Sequence, residues 1–414
     1  MTLSEELAWR GLIKDKTFAE LSWLDKPQTF YLGIDASADS LTVGNLAILL
    51  LARRLNVAGW KTVLVMGGGT SLVGDPGGKA EERQLISREA VQKNIAGVRA
   101  QVTKLFHGEN YTMVDNHDWL AELKYLDVLR DIGKHFSMTE LMQRDFVTER
   151  MGQGGAGISY AEFSYSIVQG YDYWQLYRRH QVVLQIGGSD QWGNILSGVA
   201  LIRKKEGAEV QALSMPLIIN KATGIKFGKS EGGAVWLDAA KTTPTQFYQF
   251  WINCDDEGVE DYLKVFTEFD KQAIDSVMTE QRENPSKRAA QRSLAQAVTT
   301  LVHGESEMQT AEKVTDYMVG KAPIGEAEAE LETIRKEIAN VKTSESGSII
   351  DALVNAGLAT SNTEARRLLA SNAITVNDQK VSREQFELSD FQNGRLLLRR
   401  GKAFKDSALV ELSA

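Results

Sequence analysis

An α/β fold, a parallel sheet covered by helices, is what the first half of this 414-residue chain predicts. Three observations lead there. Short apolar, β-rich runs alternate with helical patterns from Thr29 to about Leu217, the order that builds parallel sheets. The segments "GIDASADS", "GGGTSLVGDPGGK", "DNHDW" and "GGSDQWGN", at the carboxyl ends of those runs, are rich in glycine or acid, and ligands of open α/β sheets lie at those ends. After the loop "NKATGIKFGKSEGG" the strand signal fades, so the alternating part is one unit and helices follow it.

The first run, "TFYLGID", reads as a strand and feeds "DSLTVGNL", Asp39 to Leu46, which opens the helical pattern "AILLLARRL". The first N–H groups of a helix lack intrahelical partners, so such a turn suits a nucleotide phosphate, with the hydroxyls of Ser37 and Thr42 near it. "TVLVMG" predicts the next strand. The "GGGTSLVGDP" behind it is not a P-loop, because Asp75 stands where that motif needs Lys and a hydroxyl. The turn after the first strand also lacks the G-x-G-x-x-G of dinucleotide folds, which removes support for hydride transfer.

"VVLQIG" and "QWGNILSGVALIRKK" form a later strand–helix pair. The following loop holds Lys226 and Lys229. Lysines and hydroxyls around a polyphosphate meet the needs of phosphoryl or nucleotidyl transfer, although "KFGKS" by itself is equally an exposed basic turn. Residues from about Thr242 to Met318 predict helices, and an acidic stretch up to about 345 predicts a linker or a loosely packed helix. From Ser346 a small domain of two short helices, a strand and a turn is expected. It carries nine Lys or Arg against eight Asp or Glu, a charge of +1 beside -9 for the rest. Arg366 and Arg367, with "RLLLRRGKAFK" nearby, can make one basic face suited to RNA or an ordinary solvated surface.

Composition narrows the classes. A chain 43% hydrophobic and 25% charged suits two or three globular domains, and a net charge of -8 disfavours wrapping nucleic acid over the whole surface. The single Cys254 rules out an intrachain disulfide, no targeting leader opens the sequence, and no apolar run approaches membrane-spanning length, so a cytoplasmic protein is expected. Five scattered histidines without metal-ligand spacing predict no protein-held metal.

In "FSYSIVQGYDY", Tyr165, Gln169 and Asp172 fall at i, i+4 and i+7, so one helix face presents a phenol, an amide and a carboxylate. A buried Asp needs a polar partner or shifts its pKa, so this face meets a ligand, another polar group or water.

The pair "TVGN" and "KFGKS" resembles the two signature segments of class I aminoacyl-tRNA synthetases, His-Ile-Gly-His and Lys-Met-Ser-Lys-Ser. "GDPGGKAEER", "DIGKHFS", "FSYSIVQGYDY", "LQIGGSDQWGNI", "KFGKSEGGAVWLD" and "FYQFWIN" resemble, in order, the tyrosyl-tRNA synthetases of bacteria, and the tail resembles their S4-like RNA-binding domain. The resemblance implies a Rossmann-like catalytic domain with a helical insertion over 1–220, a loop and helical tRNA-contacting domain over 221–320, a linker over 321–345 and the S4-like α+β domain over 346–414.

It implies that Tyr31 and Asp172 bind a tyrosine phenol, that Asp75, Tyr165 and Gln169 hold its ammonium group, and that Asn116 and Gln191 support them. Gly33, Asp35, Gly44, Gly188 and Asp190 are implied around the adenylate, with Asp190 facing a ribose hydroxyl, although a turn or helix-cap Asp reads the same way in isolation. Charge on the phosphates of ATP is expected to fall to Ser37, Thr42, Asn45, Lys79, Arg83, Lys226, Lys229 and Ser230, with Mg²⁺ travelling on the ATP. Thr42 and Asn45 depart from the family, which carries His at both positions. L-tyrosine, ATP and tRNA(Tyr) are the implied substrates and a homodimer the implied assembly. A related class I adenylating ligase and a catalytically weakened RNA-binding paralogue are the rival readings.

Overall fold

The computed structural model describes residues 1–75, 86–106, 110–152, 155, 157–225, 227, 229–230, 233–321, 327–401 and 406–413, with the side chains of Asp145, Phe146, Glu149, Lys229 and Ser230 left aside. The chain divides into two compact units, residues 1–242 with 254–294, and 243–253 with 295–414.

The first unit is built on β1 (Asp15–Lys16), β2 (Thr29–Ile34), β3 (Lys61–Met66), β4 (Tyr111–Asp115), β5 (Leu184–Gly188) and β6 (Gln211–Met215). They lie in the order β1-β6-β5-β2-β3-β4, all parallel except the short β1. β2 and β3 are apolar almost throughout because helices cover both faces of the sheet, leaving no side that needs polar residues. The order reverses between β2 and β5. At such a point the connections leave the sheet in opposite directions and open a crevice beyond the carboxyl ends.

Four helices border that crevice or support it: α1 (Val43–Val57), α2 (Arg88–Leu105), α3 (Tyr160–His180) and α4 (Trp192–Glu206). α3 and α4 approach closely because glycines meet there. A Cβ on Gly198 would stand 2.6 Å from Tyr173, and one on Gly170 would stand 3.2 Å from Ser197. The start of α3 is held twice, by a capping box between Ser159 and Glu162 and by the buried guanidinium of Arg150 bridging both Glu162 oxygens at 3.2 and 3.1 Å. α5 (Val259–Phe266) also belongs to this unit, and Arg10 and Arg54 donate to its last carbonyls at Lys264 and Thr267.

In the second unit, β9 (Ala339–Thr343), β10 (Ile374–Val376), β11 (Gln379–Lys380), β12 (Arg395–Arg400) and β13 (Ser407–Leu412) form a sheet in the order β11-β10-β12-β13-β9, with only β13 and β9 parallel. The alternation of β12 and β13 divides their side chains between two cores. Leu396, Leu398, Ala408 and Val410 face α8 (Ile349–Asn355) and α9 (Asn362–Ala370), whereas Leu397 and Leu409 face α6 (Glu305–Met318) and α7 (Glu328–Glu337).

Two expectations change here. The stretch 321–345, expected as a linker or a loosely packed helix, holds the packed helix α7 and the strand β9, because Leu331, Ile334 and Val341 each have a sheet face to bury against. Of the three arginines of β12, Arg400 stays beside the helix of Arg366 and Arg367, 3.9 Å from Glu364, whereas Arg399 and Arg395 are committed to contacts within the unit. Arg399 is buried and donates to Met318 O and Asp378, Arg395 pairs with Glu411, and Arg400 donates to Leu358 O.

Glu411 ties this unit together, accepting from Arg335 at 2.9 and 3.1 Å, Asn340 at 2.7 Å and Arg395 at 3.2 Å. The Arg335 bonds hold its carboxyl at about 2, against the opposing effect of burial. A depressed carboxyl stabilises the fold above its ordinary pKa, and that contribution is lost as the pH falls toward the folded value. Glu411→Gln is therefore expected to destabilise this unit by about 1–3 kcal/mol at neutral pH. The difference from the parent should shrink in urea melts run below pH of about 4. A difference that held constant at acid pH would show that packing, not charge, underlies it.

Candidate active site

The crevice between β2 and β5 deepens into a cavity of about 320 Å³, on the scale of small-molecule clefts. The α3 face enters it as the spacing predicts, and Tyr165, Gln169 and Asp172 all line it. β2 contributes Tyr31 and Gly33, with Asp35 just beyond its end. Gly188, Asp190 and Gln191 enter from the end of β5, and Asp75, Asn116, Thr42, Gly44 and Asn45 complete the expected set found there. A Cβ on Gly188 would lie 2.5 Å from Asp190 Oδ1, so a larger residue here would make the Asp190 side chain turn aside.

Asp172 is 4% exposed and is held by two donors, Trp119 Nε1 at 2.7 Å and Asn116 Nδ2 at 2.9 Å. Burial pushes its carboxyl up to about 7, against the pull of those two bonds. Asn116 is itself locked, accepting from Gly69 N at 2.7 Å and donating to Thr70 Oγ1 at 2.9 Å. The Tyr31 hydroxyl is buried and has no hydrogen-bond partner among the described residues. Burial first, and the nearby Asp172 carboxylate second, raise its phenol well above its ordinary pKa. At the cavity's other side Gln191 Nε2 donates to Asp75 Oδ2 at 2.5 Å, and Asp35 accepts from Ser71 Oγ at 2.8 Å.

The departure from the signature histidines has a local structural consequence. Thr42 is the N-cap of α1, and Asn45 Oδ1 accepts from both its N–H at 3.0 Å and its hydroxyl at 2.8 Å. The Thr42 proton that a phosphate would need is thus engaged, whereas an asparagine amide keeps its N–H₂ for a ligand. The backbone here also reaches the second signature region. Val43 N donates to Val235 O at 3.0 Å, Leu237 N to Leu41 O at 2.8 Å, and Lys241 pairs with Asp39 while lying over the Trp236 ring. Phe227, the second residue of "KFGKS", lines the cavity and packs at a tilt against the Tyr262 ring of α5 with ring centroids 4.2 Å apart. Two segments almost 200 residues apart in the chain therefore meet at one helix start.

Ser37 is exposed and is not among the cavity-lining residues. Lys79, Arg83 and Lys226 lie outside the described residues, as do the side chains of Lys229 and Ser230, whose backbone forms β7 (Lys229–Ser230) against β8 (Gly233–Ala234). Three contributors were missed in the sequence: Trp119, Thr70 and Gln185, whose buried Oε1 lacks a partner among the described residues at the cavity wall. For Trp119 a signal existed. It stands three residues after Asn116 in the acid-rich segment "DNHDW" and carries an N–H that needs an acceptor when buried.

Residues 24–319 match the family described as tRNA synthetases class I (W and Y), and residues 330–405 match the tyrosine–tRNA ligase SYY-like C-terminal domain. The chain is 41% identical over 411 residues to the tyrosine–tRNA ligase of Latilactobacillus sakei subsp. sakei, covering 96% of each chain. It is 41% identical over 424 residues to tyrosine–tRNA ligase 2 of Bacillus cereus, covering 100% of each. Among solved structures it is similar to a C-terminally truncated mitochondrial tyrosyl-tRNA synthetase of Aspergillus nidulans, with a TM-score of 0.66 and 31% identity over 75% of this chain and 92% of that one.

Proposed function

The chain belongs to the tyrosine–tRNA ligase family of class I aminoacyl-tRNA synthetases, and from that premise we propose how its cavity performs the reaction. The observation that carries the reading is the buried Tyr31 hydroxyl, unpartnered among the described residues, in the same cavity as the Asp172 carboxylate. A phenolic hydroxyl both donates and accepts, so a tyrosine side chain satisfies both groups at once.

Asp172 accepts the substrate's phenolic proton and Tyr31 donates to its oxygen. Trp119 and Asn116 fix the carboxylate. Asp75, Tyr165 and Gln169 take the ammonium group, and Gln191 orients Asp75. Gly33, Gly44 and Gly188 let ATP approach the sheet ends, and Asp35 and Asp190 accept from its ribose or the adenylate. The substrate carboxylate, already an anion, attacks the α-phosphorus of ATP, and pyrophosphate leaves. The enzyme's part is alignment and neutralisation of charge. That role is assigned to Asn45, to the segments carrying Ser37, Lys79 and Arg83, and to Lys226, Lys229 and Ser230. Thr42 contributes by orienting Asn45. Mg²⁺ enters as part of the ATP substrate. The terminal ribose hydroxyl of tRNA(Tyr) then attacks the acyl carbon, and AMP leaves.

Residues 330–405, with Arg366 and Arg367 exposed on α9, are assigned to gripping the tRNA. A homodimer is supported by the exposed apolar side chains between 125 and 160, among them Tyr125, Leu126, Met138, Met142, Met151 and Tyr160. The cytoplasm is the proposed compartment. Among the described residues no helix is long and apolar enough to cross a membrane.

Pyrophosphate exchange into ATP, run with each amino acid in turn, tests the reading. Tyrosine alone should support exchange, and tRNA(Tyr) should then be charged. Exchange with tryptophan instead of tyrosine, or none with any amino acid, would overturn it.

A further inference from the structure

From fully buried Ser166 a chain of hydrogen bonds runs to the cavity. Ser166 Oγ donates to Asn194 Oδ1 at 2.8 Å, Asn194 Nδ2 donates to Gln191 Oε1 at 3.2 Å, and Gln191 Nε2 donates to Asp75 Oδ2 at 2.5 Å. We propose that Asn194, which is not among the cavity-lining residues, is a positioning residue for tyrosine recognition: it fixes the Gln191 amide so that Asp75 is aimed at the substrate's ammonium group.

The chain has one workable polarity. Ionised Asp75 only accepts, so Gln191 must present its N–H₂ to it and its carbonyl to the other side. That carbonyl then needs a donor, which Asn194 supplies. The Asn194 carbonyl in turn takes the Ser166 proton, and a hydroxyl is free to rotate into either role. A reversed Gln191 amide would set its oxygen against the Asp75 carboxylate, two acceptors in contact. Asn194 can enforce the order because it is 5% exposed, one turn along α4 from Gln191, and because α3 delivers Ser166 immediately after the cavity residue Tyr165. Ser166 and Asn194 are buried, so water has little access to replace the bond that anchors the chain, whereas Gln191 and Asp75 are half-buried at the cavity wall.

The inference rests on the assignment of Asp75 to the ammonium group, and the test separates the two. Asn194→Leu keeps the side-chain size and removes both bonds without adding charge. It is expected to raise the tyrosine Kd about tenfold while leaving the ATP Kd within about twofold of the parent. In an Asp75→Asn background the order is no longer selected, because an amide can either accept from the Gln191 N–H₂ or donate to its carbonyl. Adding Asn194→Leu to that variant should therefore change the tyrosine Kd by less than about twofold. Ser166→Ala, a milder change that preserves Asn194 and Gln191, should weaken tyrosine binding in the same direction and serves if Asn194→Leu fails to fold. Full additivity of the two substitutions, a parallel loss of ATP affinity, or unchanged tyrosine binding in Ser166→Ala would overturn the proposal. Were Asp75→Asn to leave tyrosine binding untouched, the ammonium assignment itself would fall, and this inference with it.

Discussion

Asp172→Asn is expected to weaken tyrosine binding by on the order of a hundredfold, about 2–3 kcal/mol, and to abolish its pH dependence. Both Asp172 oxygens already accept, one from Trp119 and one from Asn116. An amide in their place sets its own N–H₂ against one of these buried donors, and Asn116 cannot turn to relieve it without losing Gly69 and Thr70. The phenol meanwhile loses a charged acceptor for a neutral one.

The pH effect follows from the raised carboxyl at about 7 in the ligand-free site. A phenolic O–H donating to Asp172 favours the ionised form, so tyrosine binding lowers this pKa and expels a proton. Tyrosine affinity should then rise with pH up to about 7 and level off above it. Stability of the ligand-free fold runs the other way. A carboxyl raised above its unfolded value costs stability as the pH climbs from about 4 to about 7, because in that window the unfolded group ionises while the buried one still holds its proton. Equilibrium dialysis of tyrosine against parent and variant from pH of about 5.5 to about 8.5 covers the window. A slope that survives in the variant would move the titrating group elsewhere.

Ending the chain after Gly320 is expected to leave tyrosyl-adenylate formation near the parent rate and to eliminate charging of tRNA(Tyr). The cavity is lined wholly by residues of the first unit, whereas the match to the C-terminal domain covers 330–405. The position of the cut matters. A chain ending near Lys342 keeps α7 and most of β9 but removes β13, the strand to which β9 is bonded, and with it Leu397 and Leu409 from the core around Leu331 and Ile334. Such a remnant exposes a strand edge and an apolar face and invites aggregation. The cut after Gly320 removes α7, β9 and the sheet together, uncovering Val314, Tyr317 and Met318 of α6 and freeing Thr243 and Gln246 from Glu337. Pyrophosphate exchange and tRNA charging on the same preparation read the two steps separately. Equal loss of both would make the tail part of the catalytic fold.

The parallel sheet, the α3 face and the candidate segments were legible because each depends on neighbours in the chain. Apolar runs of "TFYLGI" type specify buried strands, and spacing of i, i+4 and i+7 places Tyr165, Gln169 and Asp172 on one side of a helix whatever it packs against. The tertiary structure alone decided which polar groups partner each other. Trp119 meets Asp172 across 53 residues, and Gln191 meets Asp75 across 116. No local periodicity encodes such pairs, because they form only once packing of separate elements has removed water and left each donor with a single acceptor in reach. The same holds for Thr42, where a residue resembling a phosphate ligand became an N-cap to Asn45, and for Arg399, where a residue resembling an RNA contact became a buried partner of Asp378. Sequence specified which chemistry was available at these positions, and burial determined whether it faced a ligand or the protein itself.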